Sequence, residues 1–418
     1  MANWKRNFSA LKIEQLRSPI SAHCDPYDHR GLEFFAEKLK RNEELLPLKH
    51  MNKSIKRWDF HGPFNAPSTK LFEDFHDQLA EGYGIKDMVQ GGEVFDVKVL
   101  PPSGLGRVEP IFAVSFRNLS GSTILKTKRL VCALGPAVPQ NPTHDNTFPW
   151  EAVLKKQISS TGVTYSDYVL RGPQILEWLS KTNTSLKNSR ILIVGGGITS
   201  GHLVLVAKSR DVSSITFIQR SPLLERQFDL DSSWMGPGRG KLQESFCALS
   251  LEERSMLIKK ARGGGSISPE VARLLSQKRS GCTRIDMKEC VELDKVQMMS
   301  DGSLEATLDD GSSWQGDMIW LATGFANTLE NHPILCKLAA SLPISTMDGL
   351  PVLNTDLSWG IGEGEVAWKS IARKRCWIMG AMAALELGPD ALNLMGARRG
   401  AVHVAKAIRS DLALGISD

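Results

Sequence analysis

Ser189-Arg-Ile-Leu-Ile-Val-Gly-Gly-Gly-Ile-Thr-Ser-Gly-His202 sets the expectations for the rest of this 418-residue chain. Ile191 to Val194 is a short apolar, β-branched run and reads as a buried strand. Gly195, Gly197 and Ser200, spaced by Gly196, Ile198 and Thr199, then spell G-x-G-x-x-S, a close variant of the dinucleotide fingerprint. Gly195 allows a tight turn out of the strand. Gly197 has no side chain, so a pyrophosphate can approach the backbone. Ser200 is small, so the next helix can pack on the strand. The run from Ser200 to Lys208 reads as that helix, its first amides facing the phosphates. The alternative is a glycine-rich turn that holds no ligand. The order strand, turn, helix, second strand favours the dinucleotide site.

The second strand is Ser213 to Gln219, followed by Arg220 and Ser221. An NAD site usually places an Asp or Glu here for the ribose 2′-hydroxyl, whereas an NADP site places an Arg for the 2′-phosphate. Gln219-Arg220-Ser221 contains no acid, so NADP(H) is favoured. The alternative for Arg220 alone is a solvated charge at a strand end.

The chain is long enough for two or three domains. Its formal net charge of +5 is mild and gives no ground for a nucleic-acid partner. Cys24, Cys132, Cys247, Cys282, Cys290, Cys336 and Cys376 are scattered and form no C-x-x-C. That pattern suits a reducing compartment, here read as cytoplasmic, and argues against a zinc site or a dithiol redox centre. No metal is expected. No run reaches the length of a membrane span, and the first residues lack the apolar region of a secretory signal.

In chain order, residues 1–30 contain no strand-glycine-helix unit, and Arg17 to Ile20 and His23 to Tyr27 read as loop and turn. Gly31 to Glu44 and Lys70 to Tyr83 read as amphipathic helices, with Leu32, Phe35, Ala36 and Leu39 on the inner face of the first. Three short strands from Val94 to Lys128 read as a meander. Arg129 to Pro136 is a buried strand ending in a small-residue turn, and Asn141-Pro142 opens a linker. Leu170 to Lys181 reads as a helix. A long irregular stretch follows Arg220, then helices at Ser250 to Arg262 and Ser268 to Lys278. Cys290 to Gln297 and Leu304 to Leu308 read as a hairpin about Asp301-Gly302. Trp314 to Phe325 reads as one more buried strand, Trp377 to Met382 as a late one. The chain ends in a helix to about Arg409.

The Gly195–Ser200 fingerprint, the strands ending in Ala133-Leu-Gly-Pro136 and Ala322-Thr-Gly324, and the tail Gly388-Pro-Asp-Ala-Leu-Asn393 resemble two-dinucleotide flavoproteins. They are most similar to flavin-dependent monooxygenases of the lysine/ornithine N-hydroxylase-like branch. Leu16-Arg-Ser-Pro19, His23-x-Asp-Pro26, Pro67-Ser-Thr-x-Leu-Phe-x-Asp-Phe75, Arg220-Ser-Pro-Leu, Phe228-Asp229 and Trp234-x-Gly236-Pro237 extend the resemblance over nearly the whole chain. It implies an α/β, Rossmann-like FAD/NAD(P)-binding fold. Residues 1–150 and 326–418 would form an FAD domain, and residues 185–325 an NADP(H) domain inserted between them. Ala133–Pro136 and Ala322–Gly324 would be the two hinges. Thr323 and Gly324 would face the cofactor; Gly388, Pro389 and Asn393 would lie by the flavin.

The resemblance further implies an FAD- and NADPH-dependent oxidoreductase oxygenating a small molecule through a C4a-(hydro)peroxyflavin. The cofactor carries that chemistry, and no catalytic side chain is singled out. The chain departs from the pattern in one respect. Met1 to Leu16 contains no glycine and no strand-to-helix turn, so the fingerprint that cradles the FAD pyrophosphate is missing from it. FAD binding by these 418 residues is therefore expected to be weak or absent, as in a truncated chain. The alternative function is a non-catalytic NADP-binding protein. His23, His61 and His76 are read as surface or capping histidines, Arg398-Arg399 as a solvated helix face.

Overall fold

We describe residues 2–48, 65–102, 111–135, 148–159, 163–182, 186–235, 238–277, 283–324, 327–360, 362 and 366–414 in a computed structural model. His61, Pro136, Asn141-Pro142, Gly236-Pro237, Cys282 and Phe325 lie outside the described residues.

The strand Arg190–Val194 stands inside a five-stranded parallel sheet. Ser214–Gln219 pairs with one edge and Met318–Leu321 with the other; Arg284–Glu289 and Val169–Arg171 are the outer strands. Alternation along the central strand explains why it is apolar throughout. Ile191 and Ile193 face a core with Ile215, Phe217, Trp320 and the fingerprint helix. Leu192 and Val194 face the opposite core, with Ile218, Ile319 and the three-stranded sheet Leu293–Met298, Leu304–Leu308, Ser313–Gly316. A parallel sheet covered on both faces reads as a continuous hydrophobic run rather than as an alternation.

The first and last parts of the chain build two further cores. One gathers Leu16, Leu32, Phe35, Leu71, Phe72 and Phe75. The other joins the meander Glu93–Leu100, Ile111–Asn118, Gly121–Thr127 to the C-terminal segments through Phe112, Cys132, Trp359 and Trp377. Leu130–Cys132 pairs in parallel with Cys376–Ile378 as a two-stranded sheet. The helix Leu394–Leu414 closes the described chain. No helix among the described residues is long and apolar enough to cross a membrane.

Several expectations give way for local physical reasons. Residues 2–10, for which the sequence pattern predicts no element, form a helix that lies against the helix Pro173–Lys181. Leu170 is in a strand, not a helix, because Pro173 starts the helix only after the turn at Gly172. The helix begun at Gly31 ends at Lys38, leaving Leu39 exposed rather than on the inner face. Trp314 to Phe325 is not one strand: the chain changes sheets at Asp317, whose carboxylate accepts the Arg190 N–H at 2.7 Å. A further helix, Arg239–Cys247, for which the sequence pattern again predicts no element, follows the irregular stretch read to Gly240.

Two features cross the bounds 185–325. Val169–Arg171 joins its sheet from the N-terminal side. Phe228, Leu230, Trp234, Phe246 and Ile258 pack instead into the core of the C-terminal segments.

His23 and His76 are buried, not surface groups. The His23 ring lies edge-on to Phe75, and its Nε2 is 3.2 Å from the His29 carbonyl. Burial, assisted by the Arg398 charge and opposed by Asp25, pulls the His23 imidazole down to about 4. The unfolded state therefore takes up a proton below pH 6.5 that the folded state refuses until about pH 4. Stability from this group is full above pH 6.5 and is lost on acidification toward pH 4. Between pH 7 and 5 the loss is about 2 kcal/mol. Urea denaturation of wild type and His23→Asn at the two pH values should show the variant's acid-side loss smaller by about that amount. An unchanged difference would contradict the assignment.

Candidate functional site

The fingerprint turn sits at the carboxyl edge of the parallel sheet. The Gly195 N–H donates to the Ile218 carbonyl at 3.0 Å, and the Ala322 N–H donates to the Val194 carbonyl at 2.8 Å. The three strand ends are thus stitched together at one level. Gly195 has φ +141°, and a Cβ there would run into the Ala322 carbonyl. The helix Ile198–Ser209 begins with the Gly201 N–H bonded to the Gly197 carbonyl at 3.2 Å. The amides before it are the helix's terminal donors, and they point at whatever lies off the strand end. A Cβ at Gly197 would meet nothing within 4 Å among the described residues. The Ser200 hydroxyl is turned back to the Gly197 carbonyl at 2.6 Å, and its residue is fully buried against the helix.

Arg220 and Ser221 follow the adjacent strand and are exposed at the same edge. Gln219, where an acid would stand, is buried instead; a Cβ at Gly196 would approach its Oε1 to 3.0 Å. Thr323 and Gly324 follow Met318–Leu321 and are exposed. One sheet edge therefore collects Gly195–Ser200, Arg220, Ser221, Thr323 and Gly324. This donor set fits a dinucleotide phosphate group: open amides, a helix start, and a cation on the neighbouring strand with Gln219 where an acid would stand.

Sequence reading missed the wall opposite this turn. Gly263 and Gly264 carry φ +58° and +86°, and a Cβ at Gly265 would come within 3.2 Å of the Gly197 Cα. The run Gly263-Gly264-Gly265 was a visible signal. Arg17 fixes this wall from the far end of the sequence. Its Nε donates to the Gln227 carbonyl at 2.7 Å, its Nη2 to the Arg226 carbonyl and the Ser266 hydroxyl at 2.8 and 2.7 Å. Burial lowers the Arg17 guanidinium to about 10, so it stays charged at neutral pH.

Gly388, Pro389 and Asn393 form a second locus. The Arg262 Nη1 donates to the Pro389 carbonyl at 3.3 Å, and Trp234 and Gln243 press on Gly388. Asn393 ends a short 3₁₀ turn and precedes the helix Leu394–Leu414. Arg398 and Arg399 are not a solvated face. Arg399 is paired with the buried Asp390 at 2.5 Å and also bonds the Leu387 carbonyl. Arg398 is 5% exposed. The Gln243 Oε1 is buried with no hydrogen-bond partner among the described residues, so polar capacity beside this turn is left open. The residues here fit the ring end of a flavin. The described residues of the first segment form a helix at Ala2–Ala10 and offer no glycine cradle for its pyrophosphate. No group of three or more His, Cys, Asp or Glu able to hold a metal exists among the described residues.

No family model matches the chain, and no curated protein matches it. Solved structures share its fold. An ornithine N-hydroxylase from Kutzneria sp. 744, with reduced FAD, NADP⁺ and L-ornithine, has a TM-score of 0.66 at 14% identity, over 97% of this chain and 90% of that one. A reduced ornithine hydroxylase from Pseudomonas aeruginosa has a TM-score of 0.64 at 17% identity, over 95% of this chain and 88% of that one. The FAD-bound cadaverine monooxygenase of desferrioxamine biosynthesis from Erwinia amylovora has a TM-score of 0.58 at 15% identity, over 96% and 85%. The Rossmann-like α/β arrangement expected from the fingerprint is the fold these structures have in common with the chain.

The Gly195 geometry gives a direct test. In Gly195→Ala, the new methyl meets the Ala322 carbonyl at a φ that L side chains rarely adopt. Strain and overpacking together should cost about 2–4 kcal/mol of unfolding free energy. Urea denaturation should show it; a loss below about 1 kcal/mol would mean that the turn relaxes freely.

Proposed function

We propose that the protein is an FAD- and NADPH-dependent monooxygenase that oxygenates a small molecule at a nucleophilic nitrogen. The observation that carries this reading is the convergence of Gly195–Ser200, Arg220 and Thr323–Gly324 on one sheet edge, within a fold similar to amine N-hydroxylating enzymes over nearly the whole chain. NADP(H) lies with its pyrophosphate on the amides that start the fingerprint helix, and Arg220 and Ser221 take the 2′-phosphate. Residues 185–325 supply this coenzyme half; 1–150 and 326–418 supply the flavin half, with Gly388, Pro389 and Asn393 at the ring. Bound flavin, once reduced by NADPH, supplies the oxygen-activating chemistry. The protein's share is to hold the two cofactors, exclude water and orient the amine. The six described cysteines are free thiols, which supports a reducing, cytoplasmic setting.

The flavin is held unevenly. The ring end has polar groups waiting, whereas the pyrophosphate lacks its cradle among the described residues. FAD therefore behaves as a dissociable partner of this chain.

Two outcomes follow. NADPH should bind roughly 10–100-fold more tightly than NADH, the worth of a charge-assisted hydrogen bond of about 1.5–3 kcal/mol. Titration of both coenzymes against wild type and Arg220→Ala checks it; equal affinities in wild type, or an undiminished preference in the variant, would reject the assignment.

After gel filtration the 418-residue chain should carry far less than one FAD per chain by absorbance. NADPH oxidation should then depend on added FAD, with hydroxylamine formed from an amine among L-ornithine, L-lysine and cadaverine. Stoichiometric retained FAD would refute the uneven hold. Absence of FAD-dependent NADPH oxidation would refute the monooxygenase and leave an NADP-binding protein.

A further inference from the structure

The loop from Gly263 to Ser266 lies against the fingerprint turn. A Cβ on Gly265 would come within 3.2 Å of the Gly197 Cα and 3.3 Å of its nitrogen, so the two glycine runs touch at that point. Around it the space is open: a Cβ on Gly197 or on Gly264 would meet nothing within 4 Å. Gly263, Gly264 and Gly265 are exposed, so solvent reaches the cleft between the two runs.

The loop is pinned at its ends and unbonded in between. The Gly263 N–H donates to the Lys259 carbonyl at 2.9 Å, where the helix Leu251–Arg262 ends. The Ile267 N–H donates to the Leu224 carbonyl, also at 2.9 Å. The N–H groups of Gly264, Gly265 and Ser266 have no acceptor among the described residues. Ser266 is buried, and an unpaired amide is costly there. Successive free amides in a glycine turn suit an anion. The terminal donors of the helix Ile198–Ser209 start beside the same contact. The loop carries no acidic side chain, and the Asp229 carboxylate is engaged by Arg262 at 2.9 Å.

Glycines have no side chains to fix such a loop. Arg17 fixes it from a different segment. Its Nη2 donates to the Ser266 hydroxyl at 2.7 Å and to the Arg226 carbonyl at 2.8 Å. Its Nη1 donates to the Ser266 carbonyl at 3.4 Å, and its Nε to the Gln227 carbonyl at 2.7 Å. One planar fork thus ties Ser266 to Arg226 and Gln227, and the Arg226 Nη2 in turn donates to the Gly263 carbonyl at 2.9 Å. A lysine ammonium has no fixed fork with which to span these oxygens.

We propose that Arg17 is a positioning residue for the coenzyme. By clamping the loop, it holds the Gly264, Gly265 and Ser266 amides as a second wall of the phosphate cleft, opposite the fingerprint amides. The inference rests on the reading of NADP(H) at the fingerprint and deepens it. It adds donors to the pyrophosphate, which NADPH and NADH share, and none to the 2′-phosphate assigned to Arg220 and Ser221.

Hydrogen–deuterium exchange and fluorescence titration of both coenzymes test it on the 418-residue chain. In wild type, NADPH should protect the amides of 264–266 as well as those of 196–200. In Arg17→Met, NADPH and NADH should each bind about tenfold more weakly, the worth of one or two backbone hydrogen bonds. The ratio of the two affinities should stay as in wild type, whereas a general loosening of the fold would erode it. Arg17→Lys, which keeps the charge and loses the fork, should behave as Arg17→Met does. Gly265→Ala leaves Arg17 intact, and its methyl presses on the Gly197 backbone, so it should weaken both coenzymes alike. Circular dichroism reports folding; if the Arg17 variants fail to fold, Gly265→Ala decides. Protection confined to 196–200, unchanged affinities in the folded variants, or a ratio lost along with the affinity overturns the positioning role alone. Failure of the wild type to bind either coenzyme overturns it together with the coenzyme reading.

Discussion

The strand Arg190–Val194 is constrained on all four sides, and the rest of the structure depends on that. Strands pair with both of its edges, and separate hydrophobic cores cover both of its faces. A strand so enclosed has no freedom of register, because a one-residue slip would exchange the residues of the two cores. Its end is therefore a fixed point. The bonds from Gly195 to Ile218 and from Ala322 to Val194 carry that fixity to both flanking strands. The exposed groups of all three strand ends are consequently held at one level. Fixed amides cost no reorganisation when an anion arrives, which is what a phosphate site requires.

The glycine wall facing this edge cannot hold itself. Gly263 and Gly264 have the backbone freedom of turn residues and no side chains with which to pack. Order is imposed from outside by Arg17, whose guanidinium spans Gln227, Arg226 and Ser266, while the Gln227 amide returns a bond to the Arg17 carbonyl at 3.1 Å. The Ile267 N–H to Leu224 carbonyl bond, 2.9 Å, joins the two irregular runs to each other. A charge removed from water is an expensive fastener, and this one is tolerated because four oxygens satisfy it. The N-terminal segment is in this way part of the fingerprint edge, although it lies some 180 residues away in sequence.

What could be read from sequence follows the range of the forces involved. The fingerprint was legible because strand burial, tight turning and helix initiation are local and leave a local pattern. The hairpin at Asp301-Gly302 was legible for the same reason. The strand Val169–Arg171 was not, because three residues carry no period and only the sheet defines them. The break at Asp317 was hidden by an apolar run that looks continuous, yet one carboxylate on the Arg190 amide divides it. His23 and Arg398 were misplaced because polar residues are ordinarily exposed. Their burial comes from segments more than 370 residues apart meeting at the Asp25 carbonyl, which no local pattern encodes.

The segment 228–262 explains how the two loci of the candidate site keep their spacing. It leaves the five-stranded sheet, and its apolar residues enter the core of the C-terminal segments. Arg254 bonds the Leu385 carbonyl and the Glu386 carboxylate, and Arg262 bonds the Pro389 carbonyl and Asp229. One residue later, the Gly263 carbonyl accepts from Arg226, beside the residues that Arg17 clasps. Gly265 then lies against Gly197. From the turn at Pro389 to the fingerprint at Gly197 there is thus a run of short contacts that passes through the exposed glycines Gly263 to Gly265. Side chains packed at interior density transmit position rather than absorb it. The reacting partners of a two-cofactor enzyme must meet within a fraction of an ångström. A segment that starts beside the five-stranded sheet and is rooted in the core of the C-terminal segments is a direct way to meet that demand.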